Sequence, residues 1–332
     1  MPGGIMGRLA DGPVLGDGGY LLELEKRGFV QAGPFTPEVV LDHPEALEGL
    51  HREFVRAGAD VVQTMTFYAS EDKLATVGLS GQVEAINRQA VQIARKVAAD
   101  GDTLVAGNLC LTWGYQPGDA GSADRVRRLF DAQIDTQLDA GGVDFWIGET
   151  FSYLGEALLF VERAGRTGLP VMATMSFDAV PAASYEGDSP AECARRLVDA
   201  GADIVGTNCL NDPDLQLPWA IEMRAAVGVP IACQPAGFRT TPEHPDFTGR
   251  PEFPYGLDPL QLPRREMARF AADAAASGIG YIGSCCGTAA GHVRAMAKAL
   301  GKRPVEERTW LSDTGRPMSA YEWHGHEETE VG

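Results

Sequence analysis

A formal net charge of −18 over 332 residues, from 28 Lys and Arg against 46 Asp and Glu, repels phosphate backbones and anionic lipids, so nucleic acid and membranes are not expected partners. An apolar content of 44% with 22% charged residues suits a large folded enzyme, and no apolar stretch is long enough to span a bilayer. The opening residues show no basic segment followed by an apolar run and a small-residue cleavage site, so a cytoplasmic location is expected.

Short apolar and β-branched runs recur at 14–15, 60–67, 103–106, 143–147, 170–175, 203–206, 229–232 and 279–282. Between them lie segments with apolar residues at helical spacing, among them 83–98, 123–140, 190–200 and 265–276. Such alternation implies parallel strands joined by right-handed crossovers, and eight strands are the number that closes a barrel. The expected fold class is therefore α/β, a (β/α)8 TIM barrel forming a single domain over 1–302. Ser189 followed by Pro190 reads as a helix cap with proline in the first turn, and Gly201 and Gly278 as helix ends before the next strand. Two segments, 112–121 and 234–263, are too long to be mere connectors, and long loops after strands often carry function. From 303 to 332 the chain is polar and reads as a C-terminal tail or short arm.

Six cysteines are too few and too irregularly spaced for a disulfide scaffold in a chain of this length, so they are expected as reduced thiols. Cys110, Cys193 and Cys233 read as small buried apolar residues. Cys209, in GTNC after the sixth run, and the adjacent Cys285 and Cys286, in GSCCG after the eighth, differ. In a (β/α)8 barrel the C-terminal strand ends converge on one face, so these three thiols can meet there. Three thiolates with an open fourth position suit catalytic zinc. A vicinal pair alone is a poor zinc signature, and a redox pair or two packed thiols remain as alternatives. His43, His51, His244 and His292 read as structural, and the HGH at 324–326 as part of a solvated tail.

GSCCG together with GTNC resembles the signature of the homocysteine methyltransferase family. GDGGYLLELEKRG at 16–28, AGPFTPE at 32–38, HREFVRAGADVVQTMTFYASEDKL at 51–74 and PEFPYGLDP at 251–259 resemble its betaine branch, in order and over nearly the whole barrel. The resemblance implies zinc (Zn2+) held by Cys209, Cys285 and Cys286, the amino-acid substrate bound by Asp17 of the Asp17-Gly18-Gly19 turn and by Glu149, and Tyr68 beside the metal and the methyl donor. It implies methyl transfer from a betaine-type onium donor, such as glycine betaine, to homocysteine, giving methionine.

The chemistry agrees. An alkyl thiol is mostly protonated at neutral pH, and metal binding deprotonates it, while an onium donor asks for aromatic faces around its positive charge. Phe35, Tyr68, Trp113, Tyr115 and Trp146 fall near strand ends or loops on the expected face; Tyr68 and Phe35 are the favoured walls, and Trp146 reads as core. Phe35 and Thr150 stand where the betaine branch has tryptophan and tyrosine, which leaves the donor half altered and the acceptor half intact. A roomier cage admits a bulkier betaine, or a sulfonium such as dimethylsulfoniopropionate or S-methylmethionine. The family's long oligomerisation arm has no counterpart in the thirty or so residues after the barrel, and a homodimer is the expectation. Two rivals are a corrinoid protein as methyl source and a non-catalytic solute-binding or zinc/thiol redox-sensing protein.

Overall fold

The computed structural model describes residues 3–31, 33, 35–302 and 319–322. Eight strands appear in chain order: β1 (Val14–Leu15), β2 (Val61–Gln63), β3 (Leu104–Cys110), β4 (Phe145–Phe151), β5 (Val171–Met175), β6 (Ile204–Cys209), β7 (Ile231–Pro235) and β8 (Tyr281–Ile282). All are parallel and run β1-β8-β7-β6-β5-β4-β3-β2, with helices between them. At the β1–β2 seam the Asp60 N–H donates to the Leu15 carbonyl at 2.8 Å and the Leu15 N–H donates to the Asp60 carboxylate at 2.8 Å, leaving a nearly closed barrel. The expected (β/α)8 architecture is the one found.

Two cores hold it. Inside the lower barrel Val14, Val61, Ala106, Phe145, Ile147, Met172, Ile204, Ala232 and Tyr281 interdigitate, and Ile5 of the N-terminal helix Ile5–Asp11 joins them. The larger core lies between sheet and helices and includes the amphipathic faces of Pro44–Ala57 and Val83–Ala98. Trp146 belongs here: fully buried, it donates its indole N–H to Thr167 Oγ1 at 2.9 Å, so it is core, as the sequence suggests. Ser189 caps its helix in a full capping box with Glu192.

The strands differ from the sequence expectation mainly at their C-terminal ends. β2 stops at Gln63, short of 67, while β3, β4, β6 and β7 run on through polar residues to Cys110, Phe151, Cys209 and Pro235. An apolar-run criterion ends a strand where Asn108, Glu149, Asn208 or Gln234 interrupts it, yet backbone pairing continues there. The segment 234–263 is an ordered cover, with 3-10 turns at Phe247–Gly249 and Asp258–Leu260 and Phe238, Phe247 and Leu257 buried beneath it. Among the described residues no helix is long and apolar enough to cross a membrane.

Residues 1–302 form one compact unit and 303–332 a second. In the second, the Ser319 N–H donates to the Glu322 carboxylate and the Glu322 N–H to the Ser319 hydroxyl. The expectations of an HGH tail and of a dimer arm concern residues that otherwise lie outside those described.

Candidate functional site

At the C-terminal mouth of the barrel the Sγ atoms of Cys209, Cys285 and Cys286 all lie within 4.8 Å of one another. Cys209 ends β6 with a left-handed φ of 55°, and Gln216 Nε2 fixes its carbonyl at 2.8 Å. The pair from β8 is tied to β7 by the Cys285 N–H donating to the Pro235 carbonyl and the Gly237 N–H donating to the Cys286 carbonyl. Gly19 packs so closely on this pair that a Cβ there would stand 2.7 Å from the Cys285 carbonyl oxygen, so the DGG turn and the GSCC turn fit only through glycine. Hydrogen bonding among the three buried thiols holds Cys209 well below its ordinary range and the other two above theirs. Three converging sulfurs with no disulfide among them are a donor set that fits a soft divalent metal ion.

A cleft of about 530 Å³, counting its open mouth, is lined by these cysteines together with Gly18, Gly19, Gln63, Asn108 and Glu149. Asp17 lies fully buried behind Gln63. Its Oδ2 accepts from the Tyr20 hydroxyl at 2.5 Å and the Gln63 N–H at 2.8 Å, and its Oδ1 from Gln63 Nε2 at 3.1 Å. Glu149 Oε1 accepts from Asn108 Nδ2 at 2.5 Å and Oε2 from Asn208 Nδ2 at 3.0 Å. Burial pushes Asp17 up to about 6 and Glu149 up to about 8, against the pull of these donors. Among the described residues neither carboxylate has a cationic partner in its hydrogen-bond shell; Glu149 lines the cleft, and Asp17 does not. Tyr20 also meets His51 Nδ1 at 2.9 Å, and burial lowers that imidazole to about 3, which keeps it neutral.

The residues expected around a methyl donor are arranged less tightly. Tyr68 has a φ of 60°, its N–H donates to Cys110 Sγ at 3.1 Å, and Lys73 Nζ sits 4.5 Å over its ring. Its hydroxyl is raised, first by burial and then by the neighbouring Cys110. Cys110 therefore anchors Tyr68 as well as filling space. Phe35, at φ 47°, packs on Phe253 with centroids 6.1 Å apart. Thr150 does not line the cleft; its hydroxyl accepts from Asn208 Nδ2 at 2.8 Å, the amide that also holds Glu149. Tyr115 stacks on Tyr153 at 5.7 Å and reaches Glu186 at 3.5 Å, on the rim and not on the cleft wall. Gln63, Asn108, Asn208, Tyr20 and Gln234 escaped the sequence reading. The available signal was a polar residue interrupting the end of an apolar run.

A family model described as homocysteine S-methyltransferase matches residues 14–300. Betaine–homocysteine S-methyltransferase 1 of Mus musculus is 41% identical over 342 aligned positions, covering 96% of this chain and 81% of the relative. S-methylmethionine–homocysteine S-methyltransferase of Pongo abelii is 41% identical over 315 positions, covering 90% and 81%. In fold the barrel is similar to the metallated form of the homocysteine methyltransferase MmuM of Escherichia coli, with a TM-score of 0.70 at 20% identity, covering 86% of this chain and 96% of that one. With a match that spans the barrel and relatives covered over most of their length, the chain belongs to the homocysteine S-methyltransferase family.

Proposed function

We propose that the chain transfers a methyl group from a betaine-type onium donor to homocysteine, giving methionine, with zinc held by Cys209, Cys285 and Cys286. The observation that carries this reading is that the three sulfurs converge at a cleft that Glu149 also lines, with Asp17 buried behind Gln63. When bound, the metal supplies acidity, lowering the pKa of an incoming thiol so that its sulfur is anionic at neutral pH. Asp17 and Glu149 receive the α-ammonium, and the Gln63, Asn108 and Asn208 amides keep both carboxylates aimed. The sulfur lone pair forms the new S–CH3 bond as the donor's C–N bond breaks, and the electron pair leaves with a neutral tertiary amine. No proton need move in that step. Tyr68 and Phe35 flank the entering cation, whose charge is lost as the methyl departs.

Either class of donor fits this scheme. Relatives named for betaine match at 40–44% identity and one named for S-methylmethionine at 41%, a margin too small for overall similarity to choose between ammonium and sulfonium. The departures at Phe35 and Thr150 from the betaine-branch pattern favour testing the sulfonium as the second reading. A cytoplasmic setting suits three reduced thiols. The experiment is mass-spectrometric: zinc-loaded protein is incubated with homocysteine and a panel of betaines and sulfoniums. Methionine with a matching demethylated donor, lost in a Cys286→Ala variant, is the expected result; stoichiometric zinc with no methionine from any donor overturns the reading.

A further inference from the structure

The barrel mouth carries a nearly continuous ring of polar side chains, one from almost every strand, and one of them is left out of its hydrogen bonding. Asp17 follows β1, and Gln63, Asn108, Glu149, Thr174 and Asn208 come from β2 to β6. Bonds of 2.5 to 3.1 Å link them in sequence: Gln63 to Asp17, Asn108 to Gln63 and Glu149, Asn208 to Glu149, and Thr174 to Asn208. Gln234 on β7 is the register neighbour of Asn208 and faces the same cleft, yet it joins nothing. Its side chain is 1% exposed, and among the described residues it alone has both polar side-chain atoms buried without a partner. A buried amide with neither donor nor acceptor satisfied costs several kcal/mol, so a folded chain keeps one only where something else completes it. The position is also built for it: a Cβ on Gly283 would stand 2.8 Å from Gln234 Oε1, so the missing side chain there makes room for the amide.

Resting on the acceptor reading above, we propose that Gln234 binds the zwitterionic headgroup of the amino-acid thiol. An α-ammonium has three N–H donors, and Asp17 and Glu149 supply acceptors for two. Gln234 Oε1 accepts the third, while Nε2 donates to the α-carboxylate. A headgroup with adjacent donor and acceptor matches the two unmet valences of one carboxamide, whereas an aliphatic thiol satisfies neither. The residue acts on binding of the acceptor and has no part in handling the donor.

The test uses calorimetric binding to the zinc-loaded full chain of three thiols: L-homocysteine, 3-aminopropane-1-thiol, which lacks the carboxylate, and 4-mercaptobutanoate, which lacks the ammonium. Gln234→Met removes both valences at similar volume; Gln234→Glu keeps the acceptor and replaces the donor with a charge. The expected result is at least tenfold weaker homocysteine binding in Gln234→Met with an unchanged donor KM. Gln234→Glu is expected to lose homocysteine and yet hold or gain 3-aminopropane-1-thiol, a reversal that a packing role does not produce. If the wild type binds homocysteine and both variants bind it equally well, an internal water completes the amide and the proposal is overturned. A wild type that binds none of the three thiols overturns this proposal and the acceptor reading together. Binding without methionine formation leaves Gln234 tested by affinity and counts against the methyl-transfer reading alone.

Discussion

Replacing Glu149 with glutamine isolates the cost of holding a carboxylate ready for an ammonium. Burial raises Glu149 from 4.5 to about 8 in the folded chain. For an acid whose folded pKa is raised, ionisation opposes folding: the penalty is absent below the unfolded pKa, grows as pH rises, and levels off above the folded one. The full shift corresponds to about 5 kcal/mol, of which about 2 kcal/mol develops between pH 6 and 8. Asp17, raised only to about 6, has most of its own penalty in place by pH 6, so the upper window belongs largely to Glu149. Glu149→Gln removes that slope. It also turns an amide NH2 toward Asn108 or Asn208, whose Nδ2 groups now donate to the carboxylate, and such a mismatch costs about 1–3 kcal/mol independently of pH. The net change at pH 8 is therefore small, and the slope is the clean readout. Urea unfolding of metal-free, reduced wild type and variant at pH 6, 7 and 8 should show wild-type stability falling by about 2 kcal/mol more than the variant's. Parallel lines for the two proteins would refute the assignment of a raised Glu149. In zinc-loaded protein with homocysteine the wild-type slope between pH 6 and 8 should flatten, because an ammonium restores the ionised form, while the variant's slope should be the same with and without the ligand.

Tyr20→Phe removes the 2.5 Å bond that pulls Asp17 down, so the pH below which homocysteine affinity fails should move upward, read from homocysteine KM between pH 5 and 8; an unmoved limb would mean that Asp17 does not carry the ammonium. Gly19→Ala drives a Cβ onto the Cys285 backbone and should cost about 1–3 kcal/mol in urea unfolding together with weaker zinc retention against a chelator; unchanged retention would uncouple the two turns. Trp113 is 64% exposed at a left-handed φ of 63°, so Trp113→Gly should relieve about 1 kcal/mol of strain and raise the Tm by roughly 2 °C in calorimetry, whereas a fall would show that the indole packs usefully.

The barrel was legible because apolar runs and helical segments alternate eight times, and because each buried face obeys its own period. Cys209, Cys285 and Cys286 stood out as thiols placed just beyond such runs, and their convergence follows once β6 and β8 flank β7. What the sequence hid is where strands bend. The β4–β5 register shifts between Gly148 and Phe151: Glu149 keeps the inward alternation of Phe145 and Ile147, and Thr150, at a left-handed φ, leaves it to bend in against Asn208. Nothing in the letters GETF distinguishes that bend from a regular strand. Tyr115 sits on a long loop, edge-on to Tyr153, a placement the sequence pattern does not specify. The amides of Gln63, Asn108, Asn208 and Gln234 escaped because a lone polar residue at a run's end reads as the start of a loop.

Strain supplies the signal that composition lacks. Among the described residues six that are not glycine have left-handed φ: Phe35, Tyr68, Trp113, Thr150, Cys209 and Leu210. Each such conformation costs about 1–2 kcal/mol, and helix and sheet stability gives nothing back for it. Scattered at random they would fall on any connection; instead Tyr68 follows β2, Trp113 follows β3, Thr150 lies in the last turn of β4, and Cys209 and Leu210 close β6. All of these are at the end of the barrel where the sulfurs and the polar ring meet. The cost is borne where side chains must leave the regular alternation of a strand to point inward together, which a relaxed backbone would not allow. The same reasoning covers the two buried carboxylates and the unpaired Gln234 amide: each is unfavourable for the empty fold, and each becomes favourable once a cationic, zwitterionic thiol fills the cleft. A ligand that reverses several such penalties at one place should stabilise the chain more than its few contacts suggest. An amino-acid thiol is therefore expected to raise the Tm further than an onium donor alone.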